Sequence, residues 1–124
     1  MKKIYIASKI KYAHRWIALR ASGINIISTW IDFVGKETDA IMADICARCI
    51  NESNVCDVMI VYAEEGDYLK GAFIEMGIAL GRRNVKIFLV GNVLPTGSAF
   101  IHDKNVILVE SIDKAIDFIN ESDQ

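Results

Sequence analysis

Along the 124 residues, apolar positions gather into short continuous runs, and between the runs they recur every three or four residues. The runs are "KIYIAS" (3–8), "INII" (24–27), "DVMIVYA" (57–63), "VKIFLV" (85–90) and "NVILVE" (105–110). All but the second are nearly unbroken in Val, Ile, Leu and aromatics, as parallel strands covered on both faces require. The segments between them predict helices at 10–22, 38–54, 70–83 and 111–121. The last is the cleanest: Ser111 stands at the N-cap, and Ile112, Ala115, Ile116 and Ile119 form one stripe at helical spacing. In the second helix Asp44, Arg48 and Glu52 fall four apart on the expected wet face, leaving Ile41, Ile45 and Cys49 to pack on the sheet.

A regular β then α order with right-handed crossovers builds a three-layer α/β/α sandwich. Its simplest form is a five-stranded parallel, flavodoxin-like (Rossmann-like) sheet in the order 2-1-3-4-5, made by a single domain over residues 1–124. In that order a ligand crevice opens beyond the carboxyl ends of strands 1 and 3. "ASKIKY" leaves strand 1 there, and "EEGDYLKG" leaves strand 3 and enters the helix "GAFIEMGIALG". Glu75 therefore sits in the first turns of a helix whose N-terminus faces the crevice.

Composition narrows the partner. With 52% hydrophobic and 24% charged residues the chain can build a core. No apolar stretch approaches the ~20 residues of a membrane helix, and "IYIA" is shorter than the apolar region of a signal peptide. A formal charge of -2 gives no broad footprint for nucleic acid. The expected partner is a small molecule, with neither nucleic acid nor membrane. Three cysteines without an export signal fit a reducing cytoplasm.

Four motifs in order carry a resemblance: the opening strand "KIYIAS", "STWID" after the second run, "CDVMIVY" opening strand 3, and the Gly, Glu, Gly spacing of "GAFIEMGIAL". Over residues 3–90 the chain resembles the nucleoside 2-deoxyribosyltransferase family and its relatives that hydrolyse nucleotide N-glycosidic bonds. The resemblance implies that Glu75 is the nucleophile, that Tyr5 hydrogen-bonds to it, and that Asp57 and the loop acid Asp67 help to hold the nucleoside. It also implies a homodimer or larger homo-oligomer, for which the loop 91–104 is the expected contributor, and calls for no cofactor or metal.

The residue types suit that chemistry. Breaking a C1′–N bond builds oxocarbenium character on the sugar, which a carboxylate stabilises or traps as a glycosyl ester while a second acid protonates the base. Phe73, Ile74 and Met76 beside Glu75 desolvate it and raise its pKa, whereas the helix dipole lowers it. Gly71 lets the loop backbone approach a sugar, and Gly77 lets the helix lie near the sheet. Ser8, Lys9 and Lys11 are placed to hold a 5′-phosphate at the first helix N-terminus. Relatives acting on nucleoside monophosphates carry a loop richer in Gly and Arg here, so nucleoside and nucleotide both stay open as substrates, as do water and a second base as acceptors. Trp30, just past the second run, belongs at the pocket rim; Trp16 is a packing residue or a stacking surface. Cys46 and Cys49 form a C-x-x-C in mid-helix, away from the N-terminus that would lower a thiol pKa. His14 and His102 are isolated. Two rivals remain: a non-catalytic nucleotide-binding module and an NAD-cleaving glycohydrolase.

Overall fold

Four of the five apolar runs form strands in a computed structural model that describes residues 1–122. Strands β1 (Ile4–Ala7), β2 (Val58–Ala63), β3 (Lys86–Gly91) and β4 (Val106–Val109) are all parallel and lie in the order β1-β2-β3-β4. Helices α1 (Ala13–Ala21), α2 (Asp39–Val55), α3 (Gly71–Arg82) and α4 (Ile112–Ser122) fall where the periodicity predicts them. Tyr5, Ile6, Met59, Ile60 and Val61 are wholly inaccessible to solvent. That is why β1 and β2 read as continuous apolar runs. Among the described residues no helix is long and apolar enough to cross a membrane.

The expected five-stranded sheet in the order 2-1-3-4-5 is corrected to four strands. Residues 24–27 make one isolated parallel bridge, Ile26 to Ile4, at the edge where that strand would lie. There the Ile4 N–H donates to the Asn25 carbonyl at 3.0 Å and the Ile27 N–H to the Ile4 carbonyl at 2.9 Å. The ladder stops because the next donor, the Ile6 N–H, is taken by the Ser28 hydroxyl at 3.2 Å. The chain then turns away through a 3₁₀ turn, Thr29–Asp32.

Register sorts the two faces of the sheet. Ile60 pairs with Phe88, and Tyr62, two residues on, shares their face. Helix α1 covers this face through Trp16, 5.2 Å from the Tyr62 ring, and α4 through Phe118, 6.0 Å from Phe88. Tyr5 and its partner Met59 point to the other face, where α3 lies with α2 packed against it. The three layers are therefore as expected. Gly91 ends β3 at φ +81°, beside β2, where a Cβ would collide with the Ala63 carbonyl. Residues 92–105 cross from β3 to β4 with no helix beyond the 3₁₀ turn Ala99–His102.

Two helix faces differ from expectation. Asp44 and Arg48 do pair at 3.0 Å on the wet side of α2, but Glu52 is buried, because its carboxylate reaches the Thr29–Asp32 turn. Ile45 and Cys49 are half-buried and line a cavity with α3 rather than sealing against the sheet. Gly77 does not let α3 approach the strands: it is exposed, and a Cβ there would meet nothing within 4 Å.

Candidate active site

The cavity between α2, α3 and the loops leaving β1 and β2 has a volume of about 360 Å³, within the range of small-molecule sites. Glu75 is the one carboxylate among its lining residues. It stands in the second turn of α3, and the hydroxyl of Tyr5, rising from β1 beneath the helix, donates to its Oε2. Burial pushes the Glu75 carboxyl up to about 8. Of the two opposed influences legible in the sequence, desolvation wins: Glu75 lies a full turn past the helix start, where the dipole has weakened. Two other depressions, of about 470 and 400 Å³, are lined by acids such as Asp32, Glu64 and Glu110 that remain exposed. Of these three depressions among the described residues, the cavity on α3 is the one that combines a concave wall with an acid withdrawn from water.

The rest of the wall mixes expected and unexpected residues. Ser8, Lys9, Trp30 and Gly71 all line it. The Ser8 hydroxyl accepts from the Trp16 indole at 2.9 Å and donates to the Lys9 carbonyl at 2.9 Å. Lys9 Nζ donates to the Tyr68 carbonyl at 3.2 Å, tying the loop after β1 to the loop before α3. Trp30 is buried, its indole N–H donating to the Ile6 carbonyl at 2.8 Å. At Gly71 a Cβ would meet nothing within 4 Å, so the helix start is open toward the cavity.

Three expected residues lie elsewhere. Asp57 precedes β2 at its amino end, a strand's length of roughly 20 Å from the crevice by strand rise, and accepts from the Lys3 N–H at 2.8 Å. Asp67 is the hub of a separate network beside the cavity. Its carboxylate accepts from the Tyr12 hydroxyl at 2.6 Å and the Glu64 N–H at 2.9 Å, and pairs with Lys11 at 2.9 Å. The Tyr12 hydroxyl, the Glu64 N–H and the Lys11 ammonium hold the Asp67 carboxyl well below the usual carboxylate range. With its oxygens so occupied, Asp67 anchors the loop that leads to α3. Lys11 is thereby directed away from the cavity, and Lys70 stands on the wall with Lys9 instead.

Sequence reasoning missed Tyr68, Lys70, Ile45 and Cys49 as wall residues. The first two stood in plain view, in the loop the topology assigned to the crevice. The other two were hidden in a stripe that also fits packing on a sheet. Burial raises the Cys49 thiol to about 11, so it is unreactive at neutral pH. Among the described residues no three His, Cys, Asp or Glu side chains converge as metal ligands.

Comparison with solved structures adds the fold relationship. The chain superposes on the CMP N-glycosidase BcmB of Clostridium botulinum with a TM-score of 0.55, covering 99% of this chain and 100% of that one at 19% identity. The two chains share a fold. No protein-family model matches the sequence, and no curated protein matches it. At this identity the likeness speaks for the fold alone.

Proposed function

We propose that the chain cleaves or transfers at the N-glycosidic bond of a (deoxy)nucleoside or nucleoside monophosphate, with the Glu75 carboxylate attacking C1′. One observation carries the reading: a single carboxylate, held by Tyr5 and withdrawn from water, lies in a cavity of nucleoside size at the crevice end of β1 and β2. As the C1′–N bond breaks, positive charge develops on the sugar, and an anion in a poorly solvated site stabilises it more than water would. The bond to C1′ forms from a Glu75 oxygen while the C1′–N electron pair leaves with the base, which takes up a proton from solvent at the open side of the cavity. Water or a second base then displaces the glycosyl group. Tyr5 fixes the carboxylate's orientation without occupying both of its oxygens.

Lys9 and Lys70 both line the wall, and two cationic residues there favour a substrate bearing a 5′-phosphate. The nucleotide activity named for BcmB agrees with this choice. A second reading follows from the raised pKa: a carboxyl neutral at pH 7 is suited to donate its proton to the leaving base. The two readings demand opposite pH profiles.

The site is shallow for the reaction, and we propose that a second copy of the chain closes it. Phe100, 59% exposed in the loop 92–105, is a contact residue for that assembly. Incubating the protein with deoxynucleosides, deoxynucleotides and NAD and separating the released bases by chromatography tests the function. Release from a nucleotide or nucleoside supports it. Release from NAD alone assigns the crevice to a different glycosidic bond, and saturable binding without release makes the protein a binding module.

A further inference from the structure

Glu52 is a buried carboxylate outside the cavity, and both its oxygens are committed to one residue. Oε1 accepts from the Thr29 N–H at 3.0 Å and Oε2 from the Thr29 hydroxyl at 2.6 Å. Thr29 opens the short turn that carries Trp30, and the residues on either side of Thr29 are pinned to a single residue of β1. Ser28 accepts from the Ile6 N–H and the Trp30 indole donates to the Ile6 carbonyl. At its far end the turn is held by Asp32, which takes a two-pronged bond from Arg20 at 2.7 and 2.9 Å. The turn is thus fixed to β1, to α1 and, through Glu52, to α2. Tyr5, which holds Glu75, is the immediate neighbour of Ile6 on β1.

We propose that Glu52 is a positioning residue that sets the Trp30 wall of the cavity through Thr29, and that it governs ligand affinity rather than bond cleavage. The physical ground is an asymmetry of cost. A buried carboxylate is tolerated when its lone pairs are satisfied by close donors, and Glu52 obtains them only with the turn docked on α2. Undocking the turn breaks both of these bonds together and exchanges them for water, so the pair of bonds holds the wall in one place. Without Glu52 the turn keeps its β1 and Arg20 contacts but loses its tie to the helix whose Ile45 and Cys49 form the adjoining wall. The effect on substrate depends on the reading that this cavity is the substrate site; the effect on Trp30 does not.

The test uses the full-length protein labelled with 5-fluorotryptophan, whose two indoles, Trp16 and Trp30, give two fluorine resonances assigned by Trp30→Phe. In Glu52→Ala the Trp30 resonance shifts or broadens while that of Trp16 stays in place. KM for the cleaved nucleotide rises on the order of tenfold, the scale of a lost charge-assisted hydrogen bond, with kcat within about twofold. Glu52→Gln restores both readouts, because its amide keeps an acceptor for the Thr29 N–H and offers a donor to the Thr29 oxygen. Thr29→Val, which removes the hydroxyl bond alone, moves the Trp30 resonance in the same direction by less, and decides the matter should Glu52→Ala not fold. An unmoved Trp30 resonance in the variants that fold overturns the proposal. So does a loss of kcat at constant KM, or equal damage from Glu52→Ala and Glu52→Gln. If the native protein releases no base, the proposed function fails and the fluorine spectra alone decide the role of Glu52.

Discussion

Replacing Glu75 by Gln stabilises the protein, and does so increasingly as pH rises. Below pH 4.5 the carboxyl is neutral in both folded and unfolded chains, so its ionisation does not affect folding. Above 4.5 the unfolded chain ionises, while burial holds the folded carboxyl neutral up to about 8. Folding therefore loses stability across that window and levels off above it. At about 1.4 kcal/mol per unit, a displacement of about 3.5 units costs roughly 5 kcal/mol above pH 8 and about 3 kcal/mol at pH 7. Gln has nearly the same shape, accepts the Tyr5 hydroxyl's hydrogen bond and carries no charge, so Glu75→Gln removes this penalty. At a few degrees per kcal/mol the melting temperature at pH 7 rises by about 10 °C. Thermal melts of both proteins at pH 4.5, 6, 7 and 8.5 measure it. A difference that is flat with pH, or a Gln variant that melts lower at pH 8.5, refutes the argument that an unpaired acid is held out of water there.

Three further outcomes follow. If Glu75 acts as the anion, kcat/KM climbs close to tenfold per unit below pH 8 and levels above it, since this parameter follows the free protein's ionisation; a fall above pH 8 instead favours the proton-donor role. Lys9→Ala weakens nucleotide binding by roughly 1.5–3 kcal/mol more than nucleoside binding, the value of a charge-assisted hydrogen bond, since both ligands share the loss of the tie to Tyr68; isothermal titration with both ligands checks this, and equal losses sink the phosphate assignment. Light scattering gives a dimer or larger assembly at working concentration, and a fully active monomer excludes the shared site.

What the sequence disclosed depended on whether one physical demand governed each segment. The runs at 57–63 and 85–90 had to be strands because burial on both faces leaves no polar alternation. The run at 3–8 follows the same logic, whereas 105–110 forms an edge strand whose Leu108 is 59% exposed, so an unbroken apolar run there does not report cover on both faces. The run at 24–27 has the composition of a strand, yet Ser28 takes the Ile6 N–H that a backbone carbonyl would have accepted. A side chain competing with the ladder leaves no trace in hydrophobic periodicity. Glu52 shows the same limit from the other side. Its spacing from Asp44 and Arg48 places it on a wet face, and only the tertiary position of the Thr29 turn buries it. At the cavity, the placement of Glu75 over Tyr5 was readable because topology and motif agree on it. Asp67 lies in the right loop, but Tyr12, Lys11 and the Glu64 N–H occupy its oxygens. Asp57 is at the wrong end of its strand for a crevice that opens at the carboxyl ends.

The claim on which the rest depends is that the Glu75 carboxylate itself meets the anomeric carbon. Base release by the native protein and by Glu75→Gln, measured on the same deoxynucleotide at pH 8, tests it most directly. With folding of the variant checked by the thermal melts above, a loss of rate reports chemistry. The account predicts a fall of at least ~10³-fold in kcat/KM, the scale of removing an essential nucleophile. Turnover by Glu75→Gln within about tenfold of the native rate would contradict it.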